Sequence, residues 1–389
     1  MWVWGTLYLL VFGFQEPALE YVEPDDSSGT SKAVVVRNGA LAHTAQMLPL
    51  DEKGGIVGKG DAERQIQRVL DNLAGALREA GSGLDRVVRI HVCAARPEIV
   101  DRVRQAFSHR FSGPAKPAAT FMVGTPAHPE ALVAMDAVAS ASPVDSVRRL
   151  RSEALPGAPG TTHVAVLPAG PAVFVSGQTS QGELAEATRK TLAGLRETLS
   201  HFGLKDEHVV QVKAFLRPMS DASVVEKEIT AFYGGGSVPP IVFVEWTLDP
   251  PIEIELVAAG TPPDDGLDSV RFLTPPGVKA SPVFSRVARV DRGRLIYVSG
   301  LYGSGDAQAQ VRGIFGSLQG ILGKTGGDFR HLVKATYYVS DGLTTDQLGK
   351  LRLEYYDPER PPAASKAAVR GVGLEGRTIT VDMIGVTRP

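Results

Sequence analysis

QIQRVLDNLAGALREAG (residues 65–81) reads as a helix stopped by glycine, and the chain writes it twice more, as ATRKTLAGLRETLSHFG (187–203) and QVRGIFGSLQGILGKTG (310–326). The three align without a gap at steps of 122 and 123 residues. Working outward, the β-rich runs VVRIHVCA (87–94), VVQVKAFL (209–216) and LVKATYYV (332–339) keep those steps, as do Pro117, Pro239 and Pro362. Solenoid units of about 20–50 residues cannot bury a core alone, whereas a unit of about 120 residues is domain-sized. Three copies of one small domain are expected, at 29–143, 144–262 and 263–389, joined by linkers near 142–160 and 261–277.

The second copy gives the element order. AVFVS (172–176) is a short apolar β run ended by Gly177, and the helix behind it carries Leu192, Leu195 and Leu199 at spacings of three and four. Gly203 sits where a helix stop belongs. A strand, a less regular helix to Phe232, the turn GGGSVPP and two strands parted by Asp249-Pro250-Pro251 follow. The unit is α+β.

Composition excludes more than it proposes. Lys+Arg 41 against Asp+Glu 43 leaves a formal charge of −2, with no basic run to track phosphates, so nucleic acid is not an expected partner. The single cysteine, Cys93, rules out an intrachain disulfide and a cysteine-rich zinc site and reads as a small buried strand residue. His91 shares its strand face, and without a third ligand the two read as packed rather than as a metal site. No metal or other cofactor is expected. WVWGTLYLLVFGF (2–14) is too short to span a bilayer comfortably. It reads as the apolar core of a secretory signal, or as a mis-assigned start or an extra apolar flap. The first would export the protein and the others would leave it cytoplasmic, with no membrane contact in the mature form. In each case residues 1–28 are expected outside the repeat fold.

Each copy carries further shared marks: TAQMLPLDEKGGIVGKGD (44–61), VFVSGQ (173–178) and IYVSG (296–300), then a Pro-led segment before a final strand, MDAVA, IEIELVA or VDMIGV. On these residues all three copies resemble the reactive-intermediate deaminase family, RidA/YjgF/YER057c, also called endoribonuclease L-PSP, over roughly residues 30–389. The resemblance implies a chorismate-mutase-like α+β unit that assembles as a trimer, with a central β-barrel, outer helices and small-molecule clefts between units. Three tethered copies would make that trimer within one chain. Tethering raises the effective concentration to about the millimolar range, so a monomeric pseudo-trimer is expected.

What the resemblance implies for chemistry must be checked copy by copy. The arginine two residues after the Pro of the family's Pro-x-Arg segment, which pairs with a substrate carboxylate, is replaced by Ala119, Ile241 and Ala364. The acid of the last strand is retained only as Glu253, against Ala134 and Thr380. The position often occupied by Cys holds Phe121, Phe243 and Lys366, the tyrosine lining the cleft has a counterpart only in Phe284, and the hydroxyl of the SGQ motif persists as Thr44, Ser176 and Ser299. Glu253, with Ser176 or Ser299, is the candidate catalytic set.

Each survivor also has a plain reading. Glu253 and Glu255 are expected to point apart, as solvated or interface acids. Ser176 and Ser299 precede glycine at strand ends, where a hydroxyl caps a turn. Lys366 reads as a surface lysine or as a cation brought to the emptied carboxylate site, with Arg370 and Arg377 as weaker candidates. No nucleophile elbow, phosphate loop or dinucleotide fingerprint is present, and the Ser-Lys pairs of cyclic-amide hydrolases cannot be placed in register.

Two functions remain. One is a small-molecule-binding protein with degenerate clefts. The other is a hydrolytic deaminase of a small imine or enamine at the Glu253 cleft. Losing the arginine contact removes about 1.5–3 kcal/mol, or about 10- to 150-fold in affinity. The ribonuclease label has least support, since neither charge nor aromatic clusters point to RNA.

Overall fold

The computed structural model describes residues 18–37, 39–157, 160–234, 237–262 and 268–389. A first stretch runs β1 (Leu19–Asp25), β2 (Thr30–Val36), β3 (Ala40–Thr44), α1 (Ala62–Glu79), β4 (Val87–Ala94), α2 (Pro97–Arg110), β5 (Ala118–Val123) and β6 (Val133–Ala141). The second repeats that order as β7 (Arg148–Leu150), β8 (Val164–Leu167), β9 (Ala172–Thr179), α3 (Leu184–His201), β10 (Val209–Leu216), α4 (Ala222–Phe232), β11 (Ile241–Glu245) and β12 (Ile252–Ala259). The third is β13 (Val270–Leu273), β14 (Val287–Val290), β15 (Leu295–Val298), α5 (Ala307–Lys324), β16 (Leu332–Val339), α6 (Gly342–Leu351), β17 (Ala363–Ala368) and β18 (Ile379–Val386). The class is α+β.

The repeated glycines have a backbone reason. Gly81, Gly203 and Gly326 lie just beyond the helices at φ of 64°, 70° and 80°, the left-handed turn that closes a helix and that a Cβ disfavours. That requirement leaves the same mark in all three stretches.

Within each stretch the strands pair alike, in the orders β5-β4-β6-β3, β11-β10-β12-β9 and β17-β16-β18-β15, with the first pair parallel and the others antiparallel. Each last strand then receives a strand from another stretch. β8 lies on β3, β14 on β9, and β2 on β15, all antiparallel. The pairings therefore run first to second, second to third and third to first. β1 is antiparallel to β2 from Leu19↔Val36 to Asp25↔Thr30, so residues 19–25 belong to the sheet, contrary to the expectation that 1–28 lie outside the fold. The rest of the expected signal segment, 1–17, lies outside the described residues. No helix among the described residues is long and apolar enough to cross a membrane.

Strand alternation gives each sheet two faces. One face packs on its own helices in three separate cores, for instance Ile90 and Val92 against Ile66 and Leu73, or Val212 and Ala214 against Leu192 and Leu195. The opposite faces share two further clusters drawn from all three stretches, one joining Val88, Val210 and Val333, the other Cys93, Phe215 and Tyr338. Charges are buried with them. Arg89 reaches Asp382 at 2.5 Å and Asp136 at 3.2 Å, Lys334 reaches Glu255 at 2.5 Å, and Lys213 lies 3.7 Å from Glu255 and 3.8 Å from Asp382. Three acids and three bases, each stretch contributing, are thus matched where bulk water is excluded.

Candidate functional site

Each joint between stretches lies where the chain at Thr44, Ser176 or Ser299, at or near the end of β3, β9 or β15, meets β11, β17 or β5 of the neighbour. The three clefts differ in what their side chains can do.

The cleft between the second and third stretches holds the retained acid. Glu253 stands on β12 opposite Thr179 of β9, and its carboxylate lies over Gly177. Burial pushes its carboxyl up to about 7, against the pull of the Ser365 hydroxyl, Lys334 and Lys366. Its Oε1 and the buried Ser176 hydroxyl have no hydrogen-bond partner. From the facing β17, Ser365 accepts the Gly177 N–H at 3.2 Å. Lys366 follows, half-buried, its ammonium pKa lowered by desolvation and by Arg352, with Asp346 and Glu253 acting the other way. Ala364 sits on the same strand, and Phe284 lies beside Ser285, whose bridge to Ala363 fixes it at this joint. An acid able to hold or release a proton near neutrality therefore lies beside the Ser365 hydroxyl and within the field of Lys366.

The expectation that Glu253 and Glu255 point apart fails. Two residues apart on one strand, they share a face, and Ser365 lies beside both. Glu255 turns to Lys334 and Lys213, while Glu253 turns to the cleft.

Gly177 is needed for this geometry. A Cβ built there falls 2.0 Å from Glu253 Oε1. Gly177→Ala is expected to swing the carboxylate away and remove whatever activity depends on Glu253, with the circular dichroism spectrum unchanged. An alanine variant as active as the parent would show that the carboxylate works from another position.

At the joint of the third and first stretches the Ser299 and Thr380 hydroxyls are already used. Ser299 Oγ donates to the Ser31 carbonyl at 2.6 Å and accepts the Ala119 N–H at 2.8 Å, and Thr380 donates to the Leu301 carbonyl at 3.2 Å. Phe121 is buried against Gly373, with Arg104 4.6 Å over its ring, and Tyr302 donates to the Val372 carbonyl. Ser299 is therefore a strand-joining hydroxyl, apart from Glu253, and the pairing of the two in one catalytic set is corrected.

The joint of the first and second stretches is open instead. Gln46 binds β11 twice, its N–H to the Ile241 carbonyl and its Nε2 to the Phe243 carbonyl, both at 2.9 Å. Around it lies a cavity of about 300 Å³ lined by Gln46, Asn72, His163, Glu226, Ile241 and Phe243 among others. Thr44 is spent on the Ala137 N–H at 2.9 Å, and Ala134 is buried in the shared core.

Sequence reasoning missed Ser365, Arg352 and the buried charges. The acids Asp136, Glu255 and Asp382 stand two residues beyond Ala134, Glu253 and Thr380, so one carboxylate recurs in all three copies; that was a readable signal. His91 is held by Asp136 at 3.1 Å, and Cys93 donates to the Gly124 carbonyl. Arg370 pairs with Glu245 at 2.7 Å and Arg377 with the Ser304 hydroxyl, so neither serves the Glu253 cleft. Among the described residues no cluster of three or more metal-binding side chains occurs.

The profile of the family described as Endoribonuclease L-PSP matches residues 24–141 and 278–386. A RutC family protein of Pyrococcus abyssi is 29% identical over 104 residues, covering 27% of this chain and 81% of that one. Its counterpart from Pyrococcus horikoshii is 26% identical over the same length, covering 27% and 82%. Among solved structures, a conserved Rid-family protein, YyfB of Yersinia pestis, is 26% identical with a TM-score of 0.30, covering 32% of this chain and 99% of its own. A putative endoribonuclease of Thermotoga maritima is 29% identical with a TM-score of 0.24, covering 31% and 96%.

Proposed function

Because this chain belongs to the Endoribonuclease L-PSP family, we propose that it is an intramolecular pseudo-trimer whose small-molecule chemistry is confined to one cleft, where Glu253 hydrolyses a small imine to a carbonyl compound and ammonia. The observation that carries this reading is the Glu253 carboxyl itself, held at about 7 by burial, with an unpartnered Oε1 that lies over Gly177. A group with that pKa works in both directions at neutral pH. As carboxylate it takes a proton from water while the water oxygen bonds to the imine carbon. As carboxylic acid it gives that proton to the imine nitrogen, which completes the carbinolamine; it then takes the carbinolamine hydroxyl proton as the carbonyl forms and returns it to nitrogen as the carbon–nitrogen bond breaks, so that ammonia leaves. Lys366, with Arg352 behind it, supplies the positive field that the missing arginine would have given a substrate carboxylate. A lysine offers a point charge without the bidentate fork, so substrate is held loosely.

The other two clefts support the small-molecule-binding reading, since neither has an acid in place of Glu253 and the one between the first and second stretches keeps an open cavity. The test is a coupled assay in which a dehydratase makes 2-iminobutanoate from threonine and release of 2-oxobutanoate is followed. Acceleration by the purified chain is expected, with Lys366→Met raising KM about tenfold and leaving kcat within a factor of about two. No acceleration at micromolar protein would remove the deaminase reading and leave ligand binding alone.

A further inference from the structure

The open cavity between the first and second stretches has no part in the proposed chemistry, and its lining selects a different ligand. Most of that lining comes from residues 155–163 and 222–243, outside both segments that match the family profile. Its volume of about 300 Å³ is at the lower end for small-molecule sites, which run about 300–1,000 Å³. Leu155, Val238, Ile241 and Phe243 give it an apolar wall.

The polar groups have a bias of sign. No lysine or arginine lines the cavity. His163 is committed on both nitrogens, accepting the Ser152 N–H at 3.0 Å and meeting the Pro156 carbonyl at 3.0 Å, and burial lowers its pKa further. Gln46 has used its amide N–H on β11, which leaves its buried Oε1 without a donor. Glu226, at the mouth, has no ion-pair partner among the described residues, and desolvation raises its carboxyl. What remains facing the cavity is the Glu226 anion, with no cation among the described lining residues to answer it. A carboxylate ligand would meet repulsion, and an ammonium would find its counter-charge.

We propose that this cavity is a second binding site, taking a small amine with an apolar body: the ammonium pairs with Glu226 and the body lies against Ile241 and Phe243. Site and ligand are independent of the Glu253 chemistry.

Two probes of nearly equal size and opposite charge test it by calorimetry on the full chain, 2-phenylethylamine and 3-phenylpropanoate. The amine is expected to bind saturably at about millimolar concentration, as a ligand of nine heavy atoms does in a preformed site. The carboxylate is expected to bind at least about tenfold more weakly, the worth of one charge-assisted contact. Glu226→Gln, a change at an exposed position, should weaken the amine about tenfold, and Ser223→Trp, at the cavity mouth, should abolish its binding. Glu253→Gln should leave it unchanged. Equal affinity for both probes, no amine binding, or amine binding that ignores both cavity variants would overturn the proposal. A loss on Glu253→Gln alone would place the amine in the other cleft and overturn it equally.

Discussion

Glu253→Gln is expected to lower imine hydrolysis by about 10²- to 10⁴-fold, the usual contribution of a positioned general acid–base. Glutamine keeps the shape and the hydrogen-bonding capacity of the neutral acid and loses only the proton exchange, so binding of substrate should change little. In the parent, water attack needs the carboxylate, and the rate should rise with pH through about 7. That inflection should vanish in the variant. Stability carries the opposite sign. The folded chain holds the Glu253 proton above the ordinary carboxyl range, so ionisation weakens the fold as pH rises through about 7. The variant is spared this cost: it should be more stable than the parent near pH 8 and equal to it near pH 4, where both side chains are neutral. A variant within threefold of parental activity, or a parent rate flat across neutrality, would remove Glu253 from the reaction.

The largest loss of stability is expected from Arg89→Met. Arg89, like Lys213, meets acids of two stretches, Asp136 of its own and Asp382 of the third, and it does so at the shorter distances. Burial would raise the Asp382 carboxyl, and the Arg89 charge overrides it and holds the group at about 2. Methionine fills similar space and leaves two acids short of a buried counter-charge, at a cost of about 3–5 kcal/mol. Urea unfolding near neutral pH measures it. The parent should keep the Asp382 contribution above the ordinary aspartate range and lose it as pH falls toward about 2, whereas the variant should show a shallower acid limb. Adding Asp382→Asn to the variant should recover part of the loss, because the uncompensated charge is then gone. A single-variant cost below about 1 kcal/mol would mean that water or relaxation already serves these acids.

These two residues mark how far the sequence could be read. The long helices α1, α3 and α5 were legible because each closes on a glycine in the left-handed conformation, and that demand repeats at Gly81, Gly203 and Gly326. Glu253 was legible because it stands alone in a position that is apolar or hydroxylic in the other copies. Its companions were not. Ser365 and Lys366 come from a different stretch, and which stretch faces which is decided by strand pairing across the joints, as in β14 on β9. The same fact separated Ser299 from Glu253. Arg89 and Lys334 were hidden for another reason. A charge inside an apolar strand looks like an exposed edge until the strands of all three stretches bring their inner faces together, and the register shifts after Val87 and Leu332 disturb the alternation that would have marked the face.

The pairing of β2 with β15 has a consequence for biosynthesis. Val36 lies opposite Leu295, so β2 finds its neighbour only after about 260 further residues have been synthesised. At about 5–20 residues per second that wait is on the order of tens of seconds. Throughout it the nascent chain presents Ala33 to Val36, an apolar strand edge that is fully covered in the finished molecule. An exposed edge of that kind is a template for association between polypeptides. Neighbouring chains on one polysome can therefore offer each other the partner that each is still waiting to synthesise, and chaperone capture of the first hairpin would decide between a closed molecule and a strand-exchanged one.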